Sequence, residues 1–231
     1  EHAWWRDTVD PNYPVFGAVL TQGDEQAHRQ QVLDSLALTT GADVVVYDNE
    51  GGFRAARLVW FLRFLGFANV ALLNASVSDW QQNRFPIEPA TTAGERPFVD
   101  PRANFYLVTQ QVRDRLGTPG FQLVDIRTDE ERASDLGGTM PTGQIPDSIR
   151  IPWTSLRNAQ GHLETTAAIA GLTASAGLDP QYPTVLYGSF GVDTALPWLA
   201  LTTAGFRDLQ TYDRGWAEWS ITPDLPRESL S

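Results

Sequence analysis

The 231 residues include no cysteine, no lysine, one methionine and three histidines. Without cysteine, disulfides, thiolate metal ligands and thiol catalysis are excluded together. Without lysine, all 17 basic residues are arginine, and against 28 acidic residues they leave a net charge of −11. That balance lacks the clustered positive charge that nucleic acids require, so a nucleic-acid partner is set aside. No apolar run approaches the roughly 18 residues of a membrane span, and no targeting segment is visible. The chain begins at Glu1 rather than methionine. A processed start and the absence of cysteine favour an exported or periplasmic location, while drift or engineering would leave the same absence.

What is present is a globular composition with 42% hydrophobic residues in short runs. The length suits one large or two modest domains. Residues 1–23, with Trp4, Trp5, Tyr13 and Phe16, lack periodicity and read as an irregular packed segment. Asp24 to Leu38 reads as an amphipathic helix. Val44 to Tyr47 is a short β-branched run, hence a buried strand, and Arg54 to Leu65 repeats apolar residues at helical spacing before Gly66. Val70 to Leu73 is a second strand, completing a βαβ unit. Residues 81–104 carry four prolines and no period, which reads as a linker between domains at 1–80 and 105–231. The second half continues with an extended piece at Tyr106–Val108, a helix over Thr109–Leu116, and a strand over Phe121–Val124. Extended structure follows at Ile149–Trp153, a helix at Thr165–Ala176, and then the run Thr184 to Ala195.

The two halves repeat. Tyr47 and Ala55 match Tyr187 and Ala195 at an offset of 140, while Gly66-Phe67 and Trp80 match Gly205-Phe206 and Trp219 at 139. Each copy reads strand, loop, helix, Gly-Phe, strand, turn, Trp, a shared spacing that points to duplication.

The quoted residues resemble the tandem-domain rhodanese-like sulfurtransferases. Asp125-Ile126-Arg127 with Glu130-Glu131 is similar to the family's Asp-x-Arg element, and Gly143 to Ser148 to its Gly-His-Ile-Pro-Gly-Ala turn. Tyr212-Asp213-Arg214-Gly215-Trp216-Ala217-Glu218-Trp219 is similar to its Tyr-Asp-Gly-Ser-Trp-x-Glu-Trp ending. The resemblance implies an α/β fold of two rhodanese-like domains, each a parallel sheet flanked by helices. Its N-terminal copy is expected to be truncated and non-catalytic, because the opening strand and Asp-x-Arg element are missing there.

In that family a cysteine in the loop after the strand tyrosine takes up sulfane sulfur as a persulfide. Here Gly188 holds the position, so no catalytic residue is assigned. The loop Gly188, Ser189, Phe190, Gly191, Val192, Asp193 and Thr194 remains a candidate binding loop through its backbone N–H groups. Arg127 and Arg132 are candidate anion contacts, with Arg127 alternatively paired to Asp125 or Glu131. Asp193 is expected to repel an anionic sulfur donor.

Other chemistries are weaker. Ser189 sits on a strand-to-helix turn, but the Gly-x-Ser-x-Gly pattern is incomplete, and His162 reads as a solvated turn residue. His2 and His28 are the remaining histidines. The acidic turns Asp48-Asn49-Glu50 and Asp129-Glu130-Glu131 lack calcium-loop spacing. No cofactor and no metal are assigned. The expected function is a rhodanese-like binding or structural module, inactive in sulfur transfer, with a small anion or a protein as partner and the oligomeric state open. The alternatives are a sulfurtransferase in a cysteine-less form, which Gly188→Cys would restore, a non-cysteine anion-handling enzyme, and one part of a larger multi-domain rhodanese.

Overall fold

The computed structural model describes residues 38, 41–49, 51–87, 104–135, 137–138 and 140–230. The Asp24–Leu38 helix, the irregular start, His2, His28 and Glu50 therefore lie outside the described residues, Leu38 excepted. The chain forms two compact units, with 41–87 in the first and 104–230 in the second.

In the first unit, β1 (Val44–Val46) and β2 (Val70–Leu72) pair in parallel around helix α1 (Phe53–Phe64). Trp60, Phe61 and Phe64 are large buried side chains of that helix. The short helix α2 (Val77–Gln82) starts with a capping box: Ser76 Oγ accepts from the Asp79 N–H, and the Asp79 carboxylate accepts from the Ser76 N–H. Residues 81–87, read from sequence as the start of a linker, hold the end of α2 and a turn tied to Trp80. The Trp80 indole donates to the Pro86 carbonyl at 2.9 Å and packs on Phe85.

The second unit has a five-stranded parallel sheet. Its strands are β3 (Tyr106–Leu107), β4 (Gln122–Asp125), β5 (Ile149–Arg150), β6 (Thr184–Tyr187) and β7 (Leu209–Tyr212), in the order β3-β7-β6-β4-β5. The helices are α3 (Thr109–Arg113), α4 (Asp129–Ala133), α5 (Thr166–Ser175), α6 (Ala195–Thr203) and α7 (Gly215–Ile221). The three central strands, β7, β6 and β4, are buried along their whole length, as expected for a sheet covered on both faces. Extended structure at Ile149–Trp153 proves shorter than its pattern. Only Ile149–Arg150 pair, and Trp153–Leu156 turn into a 3-10 helix after Pro152.

The repeat is a structural one. Val44 pairs with Val70 in one copy and Thr184 with Leu209 in the other, so the register matches residue for residue at the sequence offsets. Both α1 and α6 end on a glycine at positive φ, Gly66 at 93° and Gly205 at 101°. The following Phe67 and Phe206 amides donate back to Leu62 and Leu201 in the same helix-ending pattern. Trp219 donates to the Pro226 carbonyl as Trp80 does to Pro86.

Candidate functional site

The strand β6 lies at the middle of the sheet, and residues 188–194 leave its C-terminal end, where parallel sheets present their ligand sites. The loop curls into a 3-10 turn, Gly191–Thr194, before α6 begins at Ala195. Pro197 falls in the first turn of α6, where a missing N–H is harmless.

Below the loop lies a buried polar network. The Arg127 Nε and Nη2 donate to the two Asp125 oxygens at 2.9 and 2.7 Å, and Nη2 also donates to the Gly143 carbonyl at 2.8 Å. The Tyr187 hydroxyl donates to Asp125 Oδ2 at 3.0 Å and accepts from the Ile145 N–H at 3.2 Å. Burial opposes the Arg127 charge, yet Asp125 outweighs it and the pKa is raised. Burial, followed by the Asp125 charge, also raises the Tyr187 hydroxyl well above its ordinary value. Arg127 is thus the structural partner of Asp125, and its guanidinium lies over the Trp216 ring at 4.9 Å from the centroid. Arg132 faces the same carboxylate, with Nε 3.3 Å from Asp125 Oδ2, and donates to Gln144.

The loop is locked from above by the 212–219 motif. The Trp216 N–H donates to the Gly188 carbonyl at 2.8 Å, and the Ala217 N–H donates to the Ser189 carbonyl at 3.0 Å. The approach is so close that a Cβ on Gly191 would overlap the Asp213 carbonyl. Gly215, at φ 58°, would carry its Cβ 2.8 Å from the Gly188 oxygen. These two glycines are what let the two backbone segments touch.

Asp193 points inward. A Cβ placed on Gly188 would overlap the carboxylate of Asp193, so this side chain fills the volume that any side chain at 188 would need. Its Oδ2 accepts from the Phe190 N–H at 3.1 Å, capping the turn, while Oδ1 is buried without a hydrogen-bond partner. Burial pushes the Asp193 carboxyl up to about 7. The Phe190 N–H pulls it down, Glu131 pushes it up, and the Ser189 N–H and Arg127 pull it down. The expected repulsive charge at the loop is thus an enclosed group. The same packing changes what Gly188→Cys must achieve, because the new thiol needs the space Asp193 occupies.

The other sequence-derived candidates are placed elsewhere. Asp129, Glu130 and Glu131 form the first turn of α4, where Glu131 closes a capping box with Thr128 and Asp129 pairs with Arg150 at 2.6 Å. Asp48 accepts from the Gly52 and Ala55 N–H groups. No cluster of three or more His, Asp or Glu side chains suited to a metal forms among the described residues. His162 is half-buried on a turn that Asn158 closes. Ser148 and Gln144 were missed as individual contributors. The Gly143–Ser148 turn was the available signal, and it brings Ser148 Oγ within 3.1 Å of the Tyr187 hydroxyl.

The rhodanese-like domain family matches residues 17–83 and 108–222 of this chain. The chain belongs to that family. In this rhodanese-like chain Gly188 stands at the family's cysteine position, and there is no cysteine elsewhere. The 3-mercaptopyruvate sulfurtransferase of Escherichia coli is 28% identical over 202 residues, covering 84% of this chain and 71% of that protein. The thiosulfate sulfurtransferase of Pseudomonas aeruginosa is 25% identical over 228 residues, covering 95% and 83%. Among solved structures, an anaerobic ergothioneine biosynthesis enzyme from Chlorobium limicola superposes with a TM-score of 0.77 at 24% identity, over 89% of this chain. The rhodanese-like chain spans 55% of that protein, and the likeness carries the fold alone. No helix among the described residues is long and apolar enough to cross a membrane.

Proposed function

We propose that this rhodanese-like chain does not turn over sulfane sulfur and serves as a binding or structural module. The observation that carries the reading is the Asp193 carboxylate packed into the side-chain volume at Gly188. Persulfide chemistry needs a thiolate in a pocket of hydrogen-bond donors and positive charge. Here the thiol is absent, the space is filled, and the buried guanidinium of Arg127 is bonded to Asp125 and Gly143. The test is thiosulfate:cyanide and 3-mercaptopyruvate:cyanide sulfurtransferase assay of the purified chain. Product at the rate of a no-protein control is the expected result, and turnover above it would overturn the reading.

A second reading has one observation in its favour. The scaffold around the loop is in place: Tyr187 and Arg127 both hydrogen-bond to Asp125 below it, and α7 holds its carbonyls. That supports an enzyme seen in a cysteine-less form. It requires activity to return when a thiol is supplied at position 188 and Asp193 is removed together.

A further inference from the structure

Residues 188–194 leave the C-terminal end of β6, and the opposite end of the same sheet carries a cleft. It has a volume of about 510 Å³ and opens where the chain enters β4, β6 and β7, with Arg115, Gly120, Phe121, Tyr182, Asp208 and Gln210 in its walls. That volume suits a small organic molecule.

Two buried glutamines of this sheet are satisfied differently. Gln122, 6% exposed at the start of β4, is bonded at both ends of its amide: Nε2 donates to the Asp179 carbonyl and to Thr184 Oγ1, and Oε1 accepts from the Asp179 N–H. Gln210 in β7 is nearly as buried, at 7%, yet only its amide carbonyl is used, accepting from Arg115 Nη1 at 3.0 Å. Its Nε2 bonds to no described residue and is not sealed in the core, so the NH2 group opens on the cleft. Idle donors on a buried amide are unfavourable unless something accepts from them. The same contact holds the Arg115 guanidinium in place and leaves its Nε and Nη2 edge unused among the described residues.

A guanidinium edge beside an amide NH2 group offers several donors to one planar acceptor, which is what a carboxylate supplies. The neighbouring walls are apolar. The Tyr182 ring lies against Gly120, where a Cβ would meet its Cδ1 at 3.4 Å, and Phe121 follows in the chain. Exposed Asp208 in the wall and the net charge of −11 disfavour a dianion such as phosphate. We infer that this cleft binds a small monocarboxylate with a flat apolar body, the carboxylate taken by Arg115 and Gln210 and the body laid against Tyr182. A free acid and the carboxy-terminal residue of a peptide share that chemistry. The site is separate from the loop after β6 and does not depend on what that loop does.

The experiment is calorimetric titration of the chain with sodium 3-phenylpropionate at pH 7 and constant ionic strength. Saturable one-to-one binding is expected, with 3-phenylpropanamide at least about ten-fold weaker because it has no charge and one acceptor fewer. Gln210→Glu keeps an acceptor for Arg115 and replaces the idle donor by a second carboxylate oxygen. It is expected to stay folded in urea denaturation and to weaken binding at least about ten-fold, whereas a role confined to tying Arg115 would leave the affinity unchanged. Absence of saturable heat with wild type, equal affinity for acid and amide, or unchanged affinity in folded Gln210→Glu would each overturn the inference. Should Gln210→Glu not fold, Tyr182→Ala removes a half-exposed ring and is expected to weaken binding by about ten-fold. Unchanged affinity there would overturn it as well. Acetyl-glycyl-phenylalanine separates the two sources: binding as tight as 3-phenylpropionate or tighter assigns the cleft to peptide carboxy-termini, and weaker binding assigns it to a free acid.

Discussion

Asp125 and Arg127, two residues apart at the end of β4, bind each other through two hydrogen bonds of 2.9 and 2.7 Å, with both side chains at most 1% exposed. This pair is the floor of the loop site. Tyr187 from β6 bonds to the same carboxylate, and the Gly143 carbonyl to the same guanidinium, so three chain segments meet there.

Removing Asp125 strands a buried guanidinium. Asp125→Ala is expected to lower stability by about 3–5 kcal/mol in urea denaturation. Asp125→Ala/Arg127→Met is expected to lose less than the single variant, since the fully buried guanidinium goes with its partner and only the partly exposed Arg132 loses a contact. A double variant worse than Asp125→Ala would mean the pair is not the partner relationship described.

Gly191 and Gly171 make a matched contrast. A Cβ at Gly191 overlaps the backbone carbonyl of Asp213, whereas a Cβ at Gly171 in α5 meets nothing within 4 Å. Gly191→Ala is expected to shift the unfolding midpoint down sharply. Gly171→Ala is expected to raise stability by about 0.5–1 kcal/mol through helix propensity. Thermal melts of both variants check the pair, and a neutral Gly191→Ala would contradict the close approach.

Asp193 gives the stability a pH dependence of known sign. Its folded pKa of about 7 lies above the unfolded carboxyl value near 4, so between these pH values the folded state holds the extra proton. Stability from this group is complete below about pH 4, declines as pH rises toward 7, and is flat above. Asp193→Asn removes that slope. Relative to wild type the variant is expected to gain up to about 4 kcal/mol on going from pH 4 to pH 8. Urea denaturation at the two pH values measures it, and a pH-independent difference would refute the enclosed carboxyl. Glu131 and Arg127 face the same group with opposite effects.

Gly188→Cys alone is expected to stay inactive in the thiosulfate:cyanide assay, because the thiol and the Asp193 carboxylate compete for one volume. Gly188→Cys/Asp193→Ala clears it and removes the charge that suppresses thiolate, so its turnover is expected to exceed the single variant by at least about ten-fold. A fully active single variant would show that Asp193 leaves the loop freely.

Much of the fold was readable in the residues. The repeat offsets of 140 and 139 reappear as identical strand registers, because a duplicated βαβ unit must pair its strands in the same register to bury the same face. The capping boxes at Ser76 and Thr128 are not part of the sequence reading, nor is the helix Val77–Gln82, whose last two residues fall in the stretch read as a linker. Short helices of five or six residues carry too few turns for a periodic signal.

The missing thiol was legible along the chain: a side-chain type is absent or present whatever the fold, and Gly188 stood at the reacting position by motif alone. Two alternatives were left for Arg127, an anion contact or a partner for a carboxylate. The fold shows the second of these contacts, because the end of β4 turns Nε and Nη2 onto Asp125, while Nη1 is buried without a hydrogen-bond partner. The orientation of Asp193 could not be read in the same way. Whether a carboxylate five residues past Gly188 faces solvent or lies over it depends on the 3-10 turn and on the Gly191 and Gly215 contacts that hold the loop closed. Those are distances between segments remote in sequence, and they exist only once the 212–219 motif has packed against the loop.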